Sequence, residues 1–152
     1  MKGWLLDTNV IASLIAPSGA RSVKAWAASI EETSLYLSVL TLAEYDKGIE
    51  KLPQDHADRS RYGAMRDGIE SRFAGRILSV DDRVVRRWGA ISGRVSRESG
   101  QAPPVIDTLL AATAIEAGLI LVTRNVKDVR HAGATVFDPW NEDPARFGVS
   151  RD

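Results

Sequence analysis

The chain has 152 residues, no cysteine and equal numbers of acidic and basic side chains, so its formal net charge is zero. This length suits one domain with a full core, and the lack of cysteine excludes disulfide bonds, thiol catalysis and cysteine-bound zinc. The first residues do not resemble a signal peptide, and no apolar run approaches the roughly 18 residues that span a bilayer. We therefore expect a cytoplasmic protein that does not contact a membrane.

Short apolar runs alternate with longer helical patterns along the chain. From the N-terminus the pattern predicts a strand at 4–6, helices at 9–16 and 22–31, a strand at 35–39, and helices at 41–51 and 55–73. It then predicts a strand at 76–80, a helix at 82–98, a loop at 100–104, a helix at 106–117, and strands at 119–123 and 135–137. Such alternation is typical of a parallel sheet covered on both faces. The prediction is a three-layer α/β/α domain over residues 1–140 and a loose C-terminal tail over 141–152.

Acidic or amide side chains follow the predicted strands or begin helices at several separate places. They are Asp7 in LLDTNV, Glu44 in LTLAEYDKGI, Asp107 in PPVIDTLLAATA, and Asn125 with Asp128 in LVTRNVKD. Ligands of an open parallel sheet bind beyond the carboxyl ends of its strands, so these side chains can face one cleft. Clustered carboxylates repel one another unless a cation or a partner's arginine lies among them. The pattern points to a divalent metal and phosphodiester chemistry.

Each of these positions also has an ordinary structural explanation. Asp7 and Asp107 are favoured helix-capping residues. Asn125 is a common turn residue, and Glu44 and Asp128 fit solvated surface positions. These readings stay open from the sequence alone.

The middle third of the chain is basic. Between positions 59 and 97 there are ten arginines, four acids and no lysine. Five of the arginines fall within an arc of about 100° on the predicted helix 82–98, namely Arg83, Arg86, Arg87, Arg94 and Arg97. This face could follow an RNA backbone through phosphate contacts, or it is simply a solvated basic face. Arg124 and Lys127, beside the predicted cleft, are better candidates for contacting substrate phosphate.

These motifs resemble those of the PIN-domain ribonucleases, in particular the toxins of VapBC-type toxin–antitoxin pairs. The matching segments, in order and spacing, are LLDTNVI, LSVLTLAEYDKGI, IDTLLAATAIEAGLILVTRN and VFDPWN. With RFAGRILSVDD the chain is most similar to the FitB-like branch. By this resemblance Asp7, Glu44 and Asp107 occupy the positions of the three principal acids, and the fourth position falls on Asn125 or Asp128.

The resemblance implies an endoribonuclease that depends on Mg²⁺ or Mn²⁺. Asp7 and Asp107 are the predicted direct ligands, because hard cations demand oxygen donors. Glu44 and Asp128 would complete the shell, bind a second ion or orient the attacking water. Three polar residues would hold waters or carboxylates in place around them, namely Thr8, Thr123 and Asn125. The family often has Leu after the helical Glu and a basic residue next, whereas this chain has Tyr45 and Asp46.

The resemblance also implies partners. It suggests a homodimer and a cognate antitoxin protein whose helix lies in an apolar groove and whose arginine enters the acidic pocket. The segment from 10 to 26, extended to Leu52, is a candidate for that groove. The four tryptophans are predicted to pack in the core and at its rim rather than to stack on bases, and they are Trp4, Trp26, Trp88 and Trp140.

Other functional classes compete with this interpretation. A haloacid-dehalogenase-type phosphatase needs a second Asp two residues after the first, where this chain has Asn9. A receiver-like signalling module needs an acidic pair before the first loop, and none is present. A non-catalytic PIN-like binding module, with an acidic pocket that only holds a partner's arginine, is the remaining alternative. The combined presence of Asp7, Glu44 and Asp107 disfavours it, and metal-dependent cleavage would distinguish the two.

Overall fold

The structure, a computed structural model, describes residues 3–148. Within these residues, five strands form one parallel sheet in the order β3-β2-β1-β4-β5. The strands are β1 Trp4–Leu6, β2 Leu35–Ser38, β3 Ile77–Leu78, β4 Ile120–Val122 and β5 Val136–Phe137. The predicted central parallel sheet is confirmed.

Seven α-helices connect or flank these strands in the described part of the chain. They are α1 Thr8–Ile15, α2 Arg21–Ala28, α3 Val39–Glu50, α4 Asp58–Arg72, α5 Asp82–Ser99, α6 Val105–Ala117 and α7 Val126–Val129. Short 3-10 turns occur at Glu32–Ser34 and Pro144–Phe147. None of the helices within residues 3–148 is both long and apolar enough to cross a membrane.

The central strands are apolar on both faces because each face is covered by helices. Successive side chains of a strand point to opposite faces, so Trp4 and Leu6 pack on one side of β1 and Leu5 on the other. Helices α1, α2 and α4 cover the first side, and α5, α6 and α7 cover the second. The predicted three-layer α/β/α architecture is therefore confirmed.

Aromatic rings dominate the core on the first side of the sheet. Trp4 and Trp26 meet edge to face with centroids 5.2 Å apart, and Trp4 meets Phe137 at 5.8 Å. Trp88 lies half-buried against the helices of the other side, and Trp140 packs at the edge of the first. The tryptophans thus serve packing, as the sequence predicted, and such ring pairs add to the gain from burial.

The end of the described chain is ordered against the sheet. The Phe147 ring lies 5.6 Å from Trp4 and 5.4 Å from Phe137, between ring centroids. Arg146 donates to the carbonyl of Val136 at 3.0 Å and pairs with Glu142. As far as residue 148, the predicted tail thus packs on the sheet through one aromatic side chain in an otherwise polar segment. The assignment of a C-terminal tail stays a prediction. Residues 149–152 lie outside the described range, and the domain boundary at 140 stays a prediction.

Candidate active site

Two neighbouring strands end side by side at the carboxyl edge of the sheet. Leu6 of β1 is in register with Val122 of β4, so the next residues, Asp7 and Thr123, lie next to each other. The backbone N–H of Asp7 donates to the Val122 carbonyl at 2.9 Å. The Thr123 hydroxyl donates to Asp7 Oδ2 at 2.8 Å. Sheet register therefore fixes the position of the Asp7 carboxylate, which is only 6% exposed.

Asp7 also caps helix α1. Its Oδ1 accepts a hydrogen bond from the backbone N–H of Thr8 at 2.7 Å. The capping explanation given from the sequence is thus correct, but it uses one carboxylate oxygen. The other is oriented by Thr123 and approached by the Asn9 amide at 3.4 Å. A capping residue held by a second, tertiary hydrogen bond is more constrained than helix capping requires.

Two polar residues that support this edge were missed in the sequence. Asn9 donates to the Thr123 hydroxyl and accepts from the backbone N–H of Arg124, each at 3.4 Å. Thr41, fully buried in α3, lies 3.3 Å from the Thr8 hydroxyl. From the sequence, Asn9 is notable only as the position where a phosphatase would need a second aspartate. Its position in the first turn of α1, two residues after Asp7, was the signal that could have identified it.

A cleft of about 650 Å³ opens beyond this edge, between the first turns of α1 and α6 and one face of α3. Asp7, Glu44, Asp107 and Asn125 line it, so the structure brings these predicted residues together. Glu44 and Asp107 are half-buried, and Asn125 is exposed. Helix α3 presents Glu44, Lys47, Gly48 and Lys51 to the cleft, because residues three and four apart share one helix face.

Burial raises the pKa of three acids in this cleft, and neighbouring charges add to the rise at two of them. Burial raises the pKa of Asp7, although hydrogen bonds from Thr123 and Thr8 oppose the rise. Burial also raises the pKa of Glu44, and the charges of Asp7 and Asp107 add to the effect. For Asp107, burial and then the charges of Asp7 and Asp128 raise the pKa to about 6. Like charges held this close favour the protonated forms unless a cation joins them.

This donor set suits a hard divalent cation that keeps much of its water. Among residues 3–148 no three His, Asp or Glu side chains are arranged to hold a metal ion. Mg²⁺ is usually held by one or two carboxylates, with waters completing the shell, so a three-ligand cage is not required. Asp7 and Asp107 are oxygen donors that repel each other across the cleft. The residues present therefore fit the ion that the sequence predicted, with these two as candidate ligands.

Three of the predicted site residues have side chains outside the cleft. Lys127 and Asp128 line a smaller neighbouring cavity. The Arg124 guanidinium lies over the Trp140 ring, 5.3 Å from its centroid. Arg124 is joined to the site through its backbone, which donates to Asn9. The proposed contacts of Arg124 and Lys127 with substrate phosphate thus stay predictions. The role of Asp128 as a catalytic acid also stays a prediction, since Asn125 and not Asp128 lines the cleft.

The basic face of α5 is largely compensated by acids. Arg86 pairs with Asp82 at 3.0 Å, and Arg87 pairs with Glu116. Arg94 lies 3.7 Å from Glu98 and donates to the His131 carbonyl at 2.8 Å. Within the described residues, Arg83 and Arg97 have no ion-pair partner. This arrangement favours the solvated-face interpretation.

An apolar groove of about 790 Å³ runs between α1, α2 and α4. Ile11, Leu14, Ala27, Met65 and Ile69 are among its lining residues, with charged side chains at the rim. The predicted segment 10–26 supplies one wall. The opposite wall comes from α4, and Leu52 does not line the groove.

Sequence comparison finds a protein family and individual proteins that are similar to this chain. The family model described as "PIN domain" matches residues 4–133. The protein "Toxin FitB" of Neisseria gonorrhoeae is 32% identical over 138 residues, covering 91% of this chain and 99% of that protein. "VapC ribonuclease Y4jK" of Sinorhizobium fredii is 29% identical over 136 residues, covering 90% of this chain and 96% of that protein.

Solved structures agree with the sequence matches. The structure of FitAB bound to an IR36 DNA fragment superposes with a TM-score of 0.80 at 31% identity, covering 92% of this chain and 97% of that one. Other similar structures are toxin–antitoxin complexes. The sheet, the acidic cleft and these matches together show that the chain belongs to the PIN-domain family, in the group that contains the FitB and VapC toxins.

Proposed function

We propose that this chain is an endoribonuclease that depends on Mg²⁺ or Mn²⁺ and is the toxin component of a toxin–antitoxin pair. The observation that carries the proposal is the meeting of Asp7, Glu44 and Asp107 in one cleft, where each carboxyl has a raised pKa. Family membership and the similarity to a VapC ribonuclease support RNA as the substrate.

The metal would be held by Asp7 and Asp107. When bound, it supplies positive charge for the phosphoryl oxygens and makes an attacking water more acidic. Thr123 and the Thr8 backbone fix the two oxygens of Asp7, so this ligand enters the reaction already oriented. Asn9 holds the loops after β1 and β4 together, which keeps Asp7 and Thr123 in register.

Glu44 is the candidate for orienting the attacking water and accepting its proton. It is half-buried on α3, faces the same cleft as Asp107, and has a pKa raised mainly by burial. A carboxylate whose pKa lies nearer to neutral is a better proton acceptor at that pH than an ordinary surface acid. Lys47, one turn further along the same helix face, would contact a phosphate of the substrate.

The partner proposed for this chain is an antitoxin. The apolar groove between α1, α2 and α4 is lined by residues of three helices and exposes Ile15, which is 41% accessible. An amphipathic helix binds such a surface through its apolar face.

Met65→Asp and Ala27→Asp should abolish capture of the antitoxin while leaving RNA cleavage intact. A homodimer stays a prediction from the family resemblance.

A second function is a binding module whose acidic cleft holds only a partner's arginine. It is favoured by the raised pKa values of Glu44 and Asp107, because a partner's guanidinium would stabilise their ionised forms as a metal ion does. The two functions differ in a simple way, because the enzyme must cleave RNA in the presence of metal and the module must not.

The decisive experiment is cleavage of a panel of structured RNAs by purified protein with Mg²⁺, Mn²⁺ or EDTA. Asp7→Asn and Asp107→Asn should each lower the cleavage rate by at least about 100-fold. Asp55→Asn is the matched control, since Asp55 lies in the exposed loop before α4. Cleavage that persists in EDTA, or that survives both substitutions, would refute the proposal.

A further inference from the structure

A second, smaller cavity lies directly beside the acidic cleft. Its volume is about 250 Å³, and it is enclosed by the end of α5, the loop at 100–104, the first turn of α6 and helix α7. Ile91, Val95 and Ala132 provide an apolar floor. Four polar side chains stand around the opening, namely Gln101, Lys127, Asp128 and His131. The cavity thus combines an apolar floor with a polar rim.

The rim side chains are available to a ligand. Within residues 3–148, none of the four makes a hydrogen bond or an ion pair through its side chain. The two hydroxyls in the cavity wall are different, because both are used internally. Ser99 Oγ donates to the Val95 carbonyl at 2.7 Å, and Thr108 Oγ1 donates to the Pro104 carbonyl at 2.6 Å. Recognition by this cavity would therefore fall to the rim.

Two chain segments form the wall between the cavity and the cleft. At the start of α6, Asp107 lines the cleft and Thr108 lines the cavity. At the start of α7, Asn125 lines the cleft and Lys127 lines the cavity. The negative charge of Asp128 is also felt by Asp107, whose pKa it helps to raise. A polymer that places one phosphate in the cleft can reach the cavity with an adjoining group.

We propose that this cavity binds a nucleobase of the RNA strand, next to the phosphate held in the acidic cleft. The inference rests on the proposed function and adds to it a site for sequence preference. A base has flat apolar faces and a polar edge, and single-stranded RNA is commonly read by stacking together with hydrogen bonds to that edge. The floor and the His131 ring suit the faces, and Gln101 and Asp128 suit the edge. Lys127 is placed to meet a flanking phosphate.

Cleavage of a randomised single-stranded RNA pool, followed by sequencing of the new ends, tests this proposal. The wild-type protein should prefer one nucleotide at a position adjoining the cut. Gln101→Ala combined with His131→Ala should reduce that preference by about tenfold. Gln54→Ala is the matched control, because Gln54 is the only other glutamine, lies in the exposed loop before α4 and should leave the profile unchanged. A wild-type profile without preference, or one unaltered by the double substitution, would overturn the proposal.

A binding measurement separates this inference from the proposed function. The chain has two histidines, so the ring resonances of His131 can be followed by NMR with His56 as an internal reference. On addition of the nucleoside monophosphates of the four RNA bases at millimolar concentration, at least one should shift His131 and leave His56 unmoved. If the protein cuts no RNA but His131 responds, the nucleobase site stands and the enzyme proposal fails. If none of the four shifts His131, the nucleobase site is refuted whether or not the protein cuts RNA.

Discussion

The acidic cleft and the basic face of α5 are both clusters of like charge, but they differ in whether oppositely charged side chains pair with them. On α5, Arg86, Arg87 and Arg94 each have an acidic partner within ion-pair distance. In the cleft, Asp7 and Asp107 are half-buried or more and have no ion-pair partner within residues 3–148. Burial raises the pKa of both, and the charge of Asp7 adds to the rise at Asp107. A cluster of arginines that is paired with acids needs no ligand to explain it. Carboxylates without ion-pair partners, at the carboxyl edge of a parallel sheet, indicate where a cation is expected.

The largest effect on the cleavage rate should come from Glu44, the carboxylate proposed to orient the attacking water. Glu44→Gln keeps the shape of the side chain and removes its ability to accept a proton, so the cleavage rate should fall by about 100-fold or more. Glu50→Gln, at the end of the same helix, loses only an exposed ion pair with Arg59 and should cleave normally. Rates measured with saturating metal compare the two variants. Equal rates for Glu44→Gln and the wild type would remove Glu44 from the mechanism.

The next effect concerns the stability of the metal-free protein. Asp107→Asn removes a carboxylate whose ionised form is disfavoured first by burial and then by the charges of Asp7 and Asp128. At pH 7 in EDTA it should therefore raise the free energy of unfolding by about 1 kcal/mol, a figure reduced for solvent screening. The pKa of Asp107 is raised from 3.8 to about 6. The unfolded chain thus releases this proton first, and wild-type stability falls as pH rises through that window.

Urea unfolding at several pH values measures this difference. The advantage of Asp107→Asn should be complete above pH 6, shrink as the pH falls and vanish below the ordinary pKa of aspartate. Saturating Mg²⁺ should reverse the order, because only the wild type keeps both candidate ligands. A variant that is less stable than the wild type in EDTA at pH 7 would contradict the view that the cleft is uncompensated.

A similar effect is expected from the hydrogen bond that orients Asp7. Thr123→Val preserves the shape of a fully buried side chain and removes the hydroxyl that donates to Asp7 Oδ2. The unfolding free energy should fall by about 1 kcal/mol. Because this bond lowers the pKa of Asp7, its loss should raise that pKa and shift the acidic limb of the cleavage profile to higher pH.

Thr113→Val is the control for this experiment. Thr113 is equally buried but donates to the carbonyl of Leu109 within α6, away from the cleft. It should alter stability without moving the pH profile. Two profiles that move together would mean that Thr123 acts through general stability and not through Asp7.

The smallest effect should come from the basic face of α5, whose arginines are paired with acids. Arg86→Gln and Arg94→Gln each break an exposed ion pair, so stability should change by less than about 0.5 kcal/mol and RNA binding should hardly change. Lys47→Gln in the cleft should weaken RNA binding and reduce its dependence on salt. Binding isotherms at several salt concentrations compare them. If the α5 variants lose as much affinity as Lys47→Gln, then α5 contacts RNA and its arginines are more than a solvated face.

The sequence predicted the position of a side chain well wherever that position depends on a single strand or a single helix turn. Burial of both faces of β1 explains why the strand is fully apolar. Asp7 directly follows this strand and therefore lies at the carboxyl edge of the sheet. The parallel topology then brings Glu44 and Asp107 to the same cleft without any need to know the distances. These features follow from local pattern and the rule for open sheets.

Other features depend on contacts between distant parts of the chain. The inward face of α3 is set by packing, so the approach of Lys47 and Lys51 to the cleft could not be read from spacing alone. Helix α7 is a single short turn whose direction separates Asp128 from Asn125. Phe147 is ordered because Trp4 and Phe137 offer it a ring cluster far away in sequence. In each case tertiary packing decided what local pattern left open.

The most direct test of the central claim is the titration of the Asp107 carboxyl by NMR, with and without Mg²⁺. In metal-free protein the pKa should lie near 6. Saturating Mg²⁺ should bring it well below the ordinary value of an aspartate, because a bound cation stabilises the ionised ligand. A pKa that stays near 6 in saturating Mg²⁺ would contradict the assignment of Asp107 as a metal ligand and, with it, the account of the cleft as a cation site.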